Sequence, residues 1–204
     1  MNMVNEIQKL KKTKIKILVD EKIKEFEKLG LTKDKVFSEM CFCILTANFT
    51  AERGIKIQNE MYNDFSKFSQ NKLAKKLKKL GHRFPNTRAR YISESQKYKD
   101  KLNNLLSMDE QKAREWLIKN IKGLGYKESS HFLRNIGKKN LAIIDFHIID
   151  LLVENKVIER PKTLTKTKYL EIESKLKELA QKLNLNLAEL DLYLWYLETN
   201  KILK

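Results

Sequence analysis

The sequence predicts an all-α fold, and three observations predict it. Apolar residues recur near every 3.6 positions through most of the chain, the spacing of one buried helix face. Six Gly and two Pro in 204 residues are too few for a turn-rich β-sandwich. With 42 % hydrophobic and 33 % charged residues, the chain has the means to bury a core and stay soluble. This length suits a single unit, residues 1–204, built as one domain or as two intimately packed lobes.

The elements follow in order. Val4, Ile7, Leu10, Ile15, Leu18, Ile23 and Phe26 mark one helical stretch over residues 4–29, stopped by Gly30. Residues 33–48 form a second, more apolar helix, and residues 51–65 a third carrying Ile55, Ile57, Met61 and Phe65. Residues 69–80 are helical and strongly basic, with Gly81 placed as a C′ glycine. Gly81 to Asn86 reads as a loop, and residues 87–99 restart a helix. Ser107-Met108-Asp109-Glu110 resembles a helix start, with the helix running to about Asn120. Residues 166–183 and 186–197 are amphipathic, Asn186 capping the second. No internal repeat is present.

Forty-two Lys and Arg against twenty-six Asp and Glu give a formal charge of +16. Such a surplus suits a polyanionic partner, nucleic acid or an anionic membrane surface, without choosing between them. No apolar stretch approaches the roughly 20 residues of a membrane span. The first residues, Met1 to Glu6, lack the apolar core of a signal peptide, so the expected location is cytoplasmic and nucleoid-associated. Cys41 and Cys43 sit in an apolar run, too few for a disulfide scaffold, a zinc ribbon or an iron–sulfur loop. They read as small buried residues of a reducing compartment.

The chemistry concentrates after residue 120. Three of the six glycines are Gly123, Gly125 and Gly137. Gly123-Leu124-Gly125 between two helices permits a tight reversal with positive φ. The amides of that turn, with the next helix N-terminus, suit a phosphate, so a helix–hairpin–helix of about 115–137 is expected to grip a DNA backbone. A plain helical corner is the bland alternative. Lys127 opens the second helix, where the helix dipole and any burial favour the neutral amine that a nucleophile needs; taken by itself it reads equally as one more exposed lysine of a lysine-rich chain. Asp145, eighteen residues on, interrupts an apolar run where a helix should start. It is either a structural N-cap or a carboxylate held to face developing positive charge. His147 reads as a structural histidine among apolar neighbours.

Gly123-Leu124-Gly125-Tyr126-Lys127, followed by Ile144-Asp145-Phe146-His147, resembles the helix–hairpin–helix DNA glycosylase superfamily, in which a lysine at this point marks the bifunctional members. Cys43 to Asn48 is similar to the family segment that faces the opened duplex. Gly81 to Ile92 resembles its Gly-Tyr-Arg-x-x-x-x-Arg-Ala-x-Tyr-Ile segment, with His82 in place of the tyrosine. The compact length and the final Lys204 resemble the type 2 8-oxoguanine DNA glycosylases.

The resemblance implies a two-lobed helical glycosylase fold and a monomer acting on duplex DNA that contains oxidised guanine. Lys127 would attack C1′, form a Schiff base and cut the strand by β-elimination, with Asp145 stabilising the developing charge. Phe84, with Arg83 and Asn48, would fill or flank the gap left by the extruded nucleotide. Arg88, Gly123 and Gly125 would meet the DNA backbone. Trp195 would stack on the base and Lys204 would reach it, by a carboxylate or by its ammonium. No metal or cofactor is implied, beyond a monovalent cation that family hairpins sometimes hold on backbone carbonyls. The alternatives are a glycosylase for oxidised pyrimidines, a non-catalytic helix–hairpin–helix module, and an RNA-binding protein, for which no aromatic-rich strand appears.

Overall fold

The computed structural model describes residues 3–204; Met1 and Asn2, which open the stretch tested for a signal peptide, lie outside the described residues. Among the described residues eleven α-helices and one 3₁₀ run account for all regular structure, and no strand occurs.

The stretch expected as one N-terminal helix is two, α1 (Met3–Leu10) and α2 (Lys14–Gly30). Thr13 makes the break. Its hydroxyl accepts the Ile15 N–H at 3.2 Å and donates to the Leu10 carbonyl at 2.8 Å, ending one helix and capping the next. Then come α3 (Lys33–Thr46), α4 (Ala51–Met61) and the basic α5 (Gln70–Lys79). Gly81 closes α5 at φ +76°, its N–H bonded to Lys78 O and that of His82 to Leu77 O, the paired bonds of a Schellman cap. Helix α6 (Pro85–Ser95) starts earlier than expected because Pro85 is pre-set for a first turn. It also ends earlier. Ser95 Oγ donates back to Ile92 O at 2.7 Å, and Gln96 donates to the carbonyls of Phe65 and Phe68. The chain then tightens into a 3₁₀ run, Gln96–Leu106, that periodicity did not reveal.

Helix α7 (Glu110–Asn120), capped by Asp109, and α8 (Tyr126–Asn135) form the hairpin, which spans 110–135. A segment without regular structure, residues 141–145, leads into α9 (Phe146–Glu154). Helices α10 (Lys166–Lys182) and α11 (Leu187–Thr199) complete the chain, α11 opening on a capping box between Asn186 and Glu189.

Two apolar cores form. One gathers buried side chains of α3 to α8, among them Phe42, Ile44, Phe65, Leu117 and Phe132. The other gathers α1, α2, α9, α10 and α11, among them Ile7, Phe26, Leu152, Leu176 and Leu194. Cys41 and Cys43 are buried free thiols of the first core, as expected. Burial pushes both thiols well up from their ordinary value, which makes them poor nucleophiles. No helix of the described residues is long and apolar enough to cross a membrane.

Candidate active site

A cavity of about 730 Å³ opens where the two cores meet. Its wall draws on the α3–α4 connection, α8, the start of α9, α11 and the last residues. Asn48, Lys127, Asp145, Trp195 and Lys204, each singled out in the sequence, all line it.

The hairpin brings Lys127 there. Gly123 adopts φ +89°, and a Cβ on it would lie 2.5 Å from the Tyr91 ring, so only glycine turns the chain at that point. Gly125 departs from the expected pair of left-handed glycines. It is extended, at φ −90°, and is the N-cap residue of α8. Lys127 therefore stands in the first turn of α8, half-buried, and its ammonium has no hydrogen bond or ion pair among the described residues.

Asp145 is the N-cap that the sequence offered. It caps α9, accepting the Ile148 N–H at 3.1 Å through Oδ1, and it also lines the cavity. The cap fixes the carboxyl group in place while the helix N-terminus favours its charge. Trp195 is half-buried on the cavity wall rather than lost in the core, and its indole N–H is unpartnered. Lys204 lines the cavity, but its ammonium is spent elsewhere. It bonds Glu39 Oε2 at 2.8 Å and Gln58 Oε1 at 2.5 Å, and lies 4.5 Å from the Phe42 ring centre. Glu39 is buried and also accepts from Asn135 at 2.7 Å.

The remaining expected residues stand off the cavity wall. Phe84 is 38 % exposed beside Arg83, whose guanidinium carbon is 5.0 Å from its ring centre. Arg88 is buried. Expected on the DNA surface, it is 7 % exposed and donates to Ala47 O. It supports the turn at Asn48, which holds a left-handed φ of 59°. His82, the departure from the family pattern, works beside it. Its Nε2 bonds Leu45 O at 3.0 Å and its Nδ1 accepts the Phe84 N–H at 3.0 Å. The Asn48 turn and the Phe84 loop are therefore tied together. Burial lowers the His82 pKa, which suits this neutral tautomer.

Sequence reasoning missed several wall residues. His147 was expected to be structural; it lines the cavity, with Nδ1 3.6 Å from Glu198 Oε1. His131 and Arg134, one and two turns beyond Lys127 on α8, also line it, as does Asp191 of α11. Arg134 Nη2 lies 3.6 Å from Asp191 Oδ2. Burial, reinforced by Asp145 and opposed by Arg134 and Lys127, pushes Asp191 up to about 6. Burial and the Arg134, Lys127 and Lys204 cations hold His131 well below its ordinary 6.5, so it is neutral. The spacing of Lys127, His131 and Arg134 on α8 was the available signal.

A glycine-turned helical hairpin that delivers a lysine to a cavity, lined also by an aspartate that caps the next helix, has the layout of the helix–hairpin–helix DNA glycosylases. Comparison with known proteins narrows the class. A family model described as 8-oxoguanine DNA glycosylase matches residues 19–185. The 8-oxoguanine DNA glycosylase/AP lyase of Methanocaldococcus jannaschii is 49 % identical over 100 % of both chains, and that of Korarchaeum cryptofilum 47 % over 100 % of this chain and 98 % of its own. The solved M. jannaschii 8-oxoguanine glycosylase/lyase in complex with a 15mer DNA containing 8-oxoguanine superposes with a TM-score of 0.96, at 49 % identity and 100 % coverage of both chains. The 8-oxoguanine DNA glycosylase of Thermotoga maritima gives 0.94 at 40 % identity, covering 98 % of each chain. The chain belongs to the 8-oxoguanine DNA glycosylase family.

Proposed function

We propose that this protein excises 8-oxoguanine from duplex DNA and then cleaves the strand 3′ to the abasic site. The observation that carries the reading is that Lys127, Asp145 and Trp195 line one cavity.

A base inside a duplex is out of reach, so the nucleotide must be extruded into the cavity, at a cost of a few kcal/mol. Trp195 supplies a stacking face, worth about 1–3 kcal/mol. Phe84 and Asn48, held in register by His82 and Arg88, meet the vacated stack. The amides of the hairpin turn and of α8 receive a backbone phosphate. The Lys127 amine then attacks C1′ as the bond to the base breaks, and the base leaves with the electron pair and takes up a proton. Asp145 stabilises the positive charge on the sugar as it develops. The amine sheds a proton and its lone pair opens the sugar ring, the C1′–O4′ bond breaking as O4′ takes up a proton; the Schiff base so formed acidifies C2′, and loss of that proton expels the 3′ phosphate and breaks the strand.

No step requires a metal, and the described residues hold no group of three His, Cys, Asp or Glu suited to one. A monovalent cation at the hairpin turn would rest on main-chain carbonyls, among which that of Ile121 already accepts the Leu124 N–H at 3.3 Å.

The test is borohydride trapping on a duplex carrying one 8-oxoguanine. A covalent adduct forms with the wild type and none with Lys127→Gln. An adduct that survives Lys127→Gln moves the nucleophile to another lysine. Adducts on thymine glycol but not on 8-oxoguanine favour an enzyme for oxidised pyrimidines. Salt-sensitive duplex binding without any adduct leaves a non-catalytic module.

A further inference from the structure

Behind the wall that carries Lys127 and Asp145 lies a buried polar network that the reaction itself does not use. Arg114 of α7 is 1 % exposed. Its Nη1 and Nη2 bond the two carboxylate oxygens of Glu173 on α10 at 2.6 and 2.8 Å, a bidentate ion pair. Nη1 also reaches Ser130 Oγ on α8 at 3.3 Å, three residues beyond Lys127. Glu173 Oε2 accepts the Ala142 N–H at 2.9 Å. One turn earlier on α10, the Tyr169 hydroxyl donates to Ala142 O at 2.7 Å and accepts the Ile144 N–H at 3.3 Å. Its oxygen lies 3.5 Å from Ser130 Oγ.

The network therefore grips two things at once. On one side it holds the hairpin, through Arg114 and Ser130. On the other it holds residues 142–144, whose backbone groups have no helix or sheet to satisfy them and which lead to Asp145. An apolar contact would fill the same space without fixing direction or register. Bonds to both strands of chain fix where one sits against the other.

We infer that Tyr169, Glu173 and Arg114 are positioning residues that set the Asp145 carboxylate against the Lys127 amine. The inference rests on the function proposed above. Asp145 matters most while the base departs and charge grows on the sugar, whereas condensation of Lys127 with a preformed abasic aldehyde needs the amine alone. Misplacing Asp145 therefore separates the two reactions.

The experiment compares single-turnover rates on an 8-oxoguanine duplex and on the same duplex carrying a preformed abasic site. Tyr169→Phe keeps the ring and removes only the hydroxyl. It is expected to slow base excision by roughly tenfold or more and to leave abasic-site cleavage within about twofold. Glu173→Gln keeps an acceptor for Ala142 N–H but dissolves the ion pair, and shifts the ratio the same way should Tyr169→Phe not fold. Leu179→Ala, a core truncation on the same helix, lowers the melting temperature and leaves the ratio at its wild-type value. Equal slowing of both reactions, or of neither, overturns the positioning role while a wild-type adduct keeps the proposed function. A wild type that forms no adduct overturns both.

Discussion

Asp145 carries two roles that one substitution separates. Asn caps a helix about as well as Asp, because the amide oxygen accepts the same N–H. Asp145→Asn should therefore keep the bond to Ile148 and shift stability by less than about 1 kcal/mol. It also removes the charge that meets the developing positive centre. A loss of that kind costs on the order of 10² to 10³ in rate. Asp145→Ala should lose as much activity and a further ~1 kcal/mol of stability. Thermal denaturation beside single-turnover excision checks both. Near-wild-type excision by Asp145→Asn would reduce Asp145 to a cap.

His131 makes a prediction about acid. In the fold it is neutral, held there by burial and by the Arg134, Lys127 and Lys204 cations. Unfolding returns it to about 6.5, where it binds a proton. Below that pH the unfolded chain holds more protons than the fold, so stability falls with pH. Asp191 pulls the other way. Its pKa is pushed up to about 6 from an ordinary 3.8, so between those values the fold holds the extra proton and gains stability as pH falls. The difference between wild type and His131→Gln isolates the histidine. Relative to the variant, the wild-type melting temperature should drop as pH falls from about 7.5 to about 5.5. Parallel curves would mean that His131 is charged in the fold or already solvated.

Asp145 was legible as a helix start, and Lys127 through the resemblance of Gly123-Leu124-Gly125-Tyr126-Lys127 to the glycosylase hairpin. His131, Arg134, Asp191 and His147 were not. Helical spacing from Lys127 could have pointed to His131 and Arg134 on α8, but which face of α9 or α11 meets the cavity is decided by how the two cores dock.

At the scale of elements, the hairpin separates two glycines that look alike in sequence. Gly123 is needed to fold. Ala there would carry φ +89° and meet Tyr91 at 2.5 Å, so Gly123→Ala should cost at least about 1–2 kcal/mol. Gly125 has an ordinary φ, and the nearest atom to an added Cβ is a Glu128 carboxylate oxygen at 3.4 Å. Gly125→Ala should lower stability by less than about 1 kcal/mol. Its methyl group would instead stand among the α8 amides offered to a phosphate and weaken duplex binding. Melting curves and binding titrations on the two variants decide this; equal destabilisation by both would return Gly125 to a purely structural part.

Helix ends marked by their own residues were readable: the Asn186 capping box, the Gly81 closure and the Asp109 start. The break at Thr13 and the 3₁₀ run at 96–106 were not. Thr13 interrupts an unbroken apolar period, and the 3₁₀ run depends on Gln96 reaching carbonyls some thirty residues earlier in the chain.

At the scale of the whole molecule, the +16 charge has one readable consequence. Many acids are already neutralised locally, as in Lys9–Glu6, Lys16–Asp20 and Lys76–Asp64, leaving an excess of free cations. If about six of them meet phosphates, duplex affinity should fall on the order of 10³-fold between about 50 and 200 mM salt. The chemistry should respond differently. The cavity lies between the two cores, and its working pair sits at two helix N-termini rather than on the open surface. Partly buried charges are screened less by salt than exposed ones. With protein in excess and binding saturated, the excision rate should then hold nearly constant over the same range, while the concentration needed for saturation climbs steeply. A rate at saturation that falls in parallel with affinity would mean that the phosphate contacts do more than hold the duplex. They would be helping to drive the base into the cavity, and the basic surface would belong to the chemical step as well as to binding.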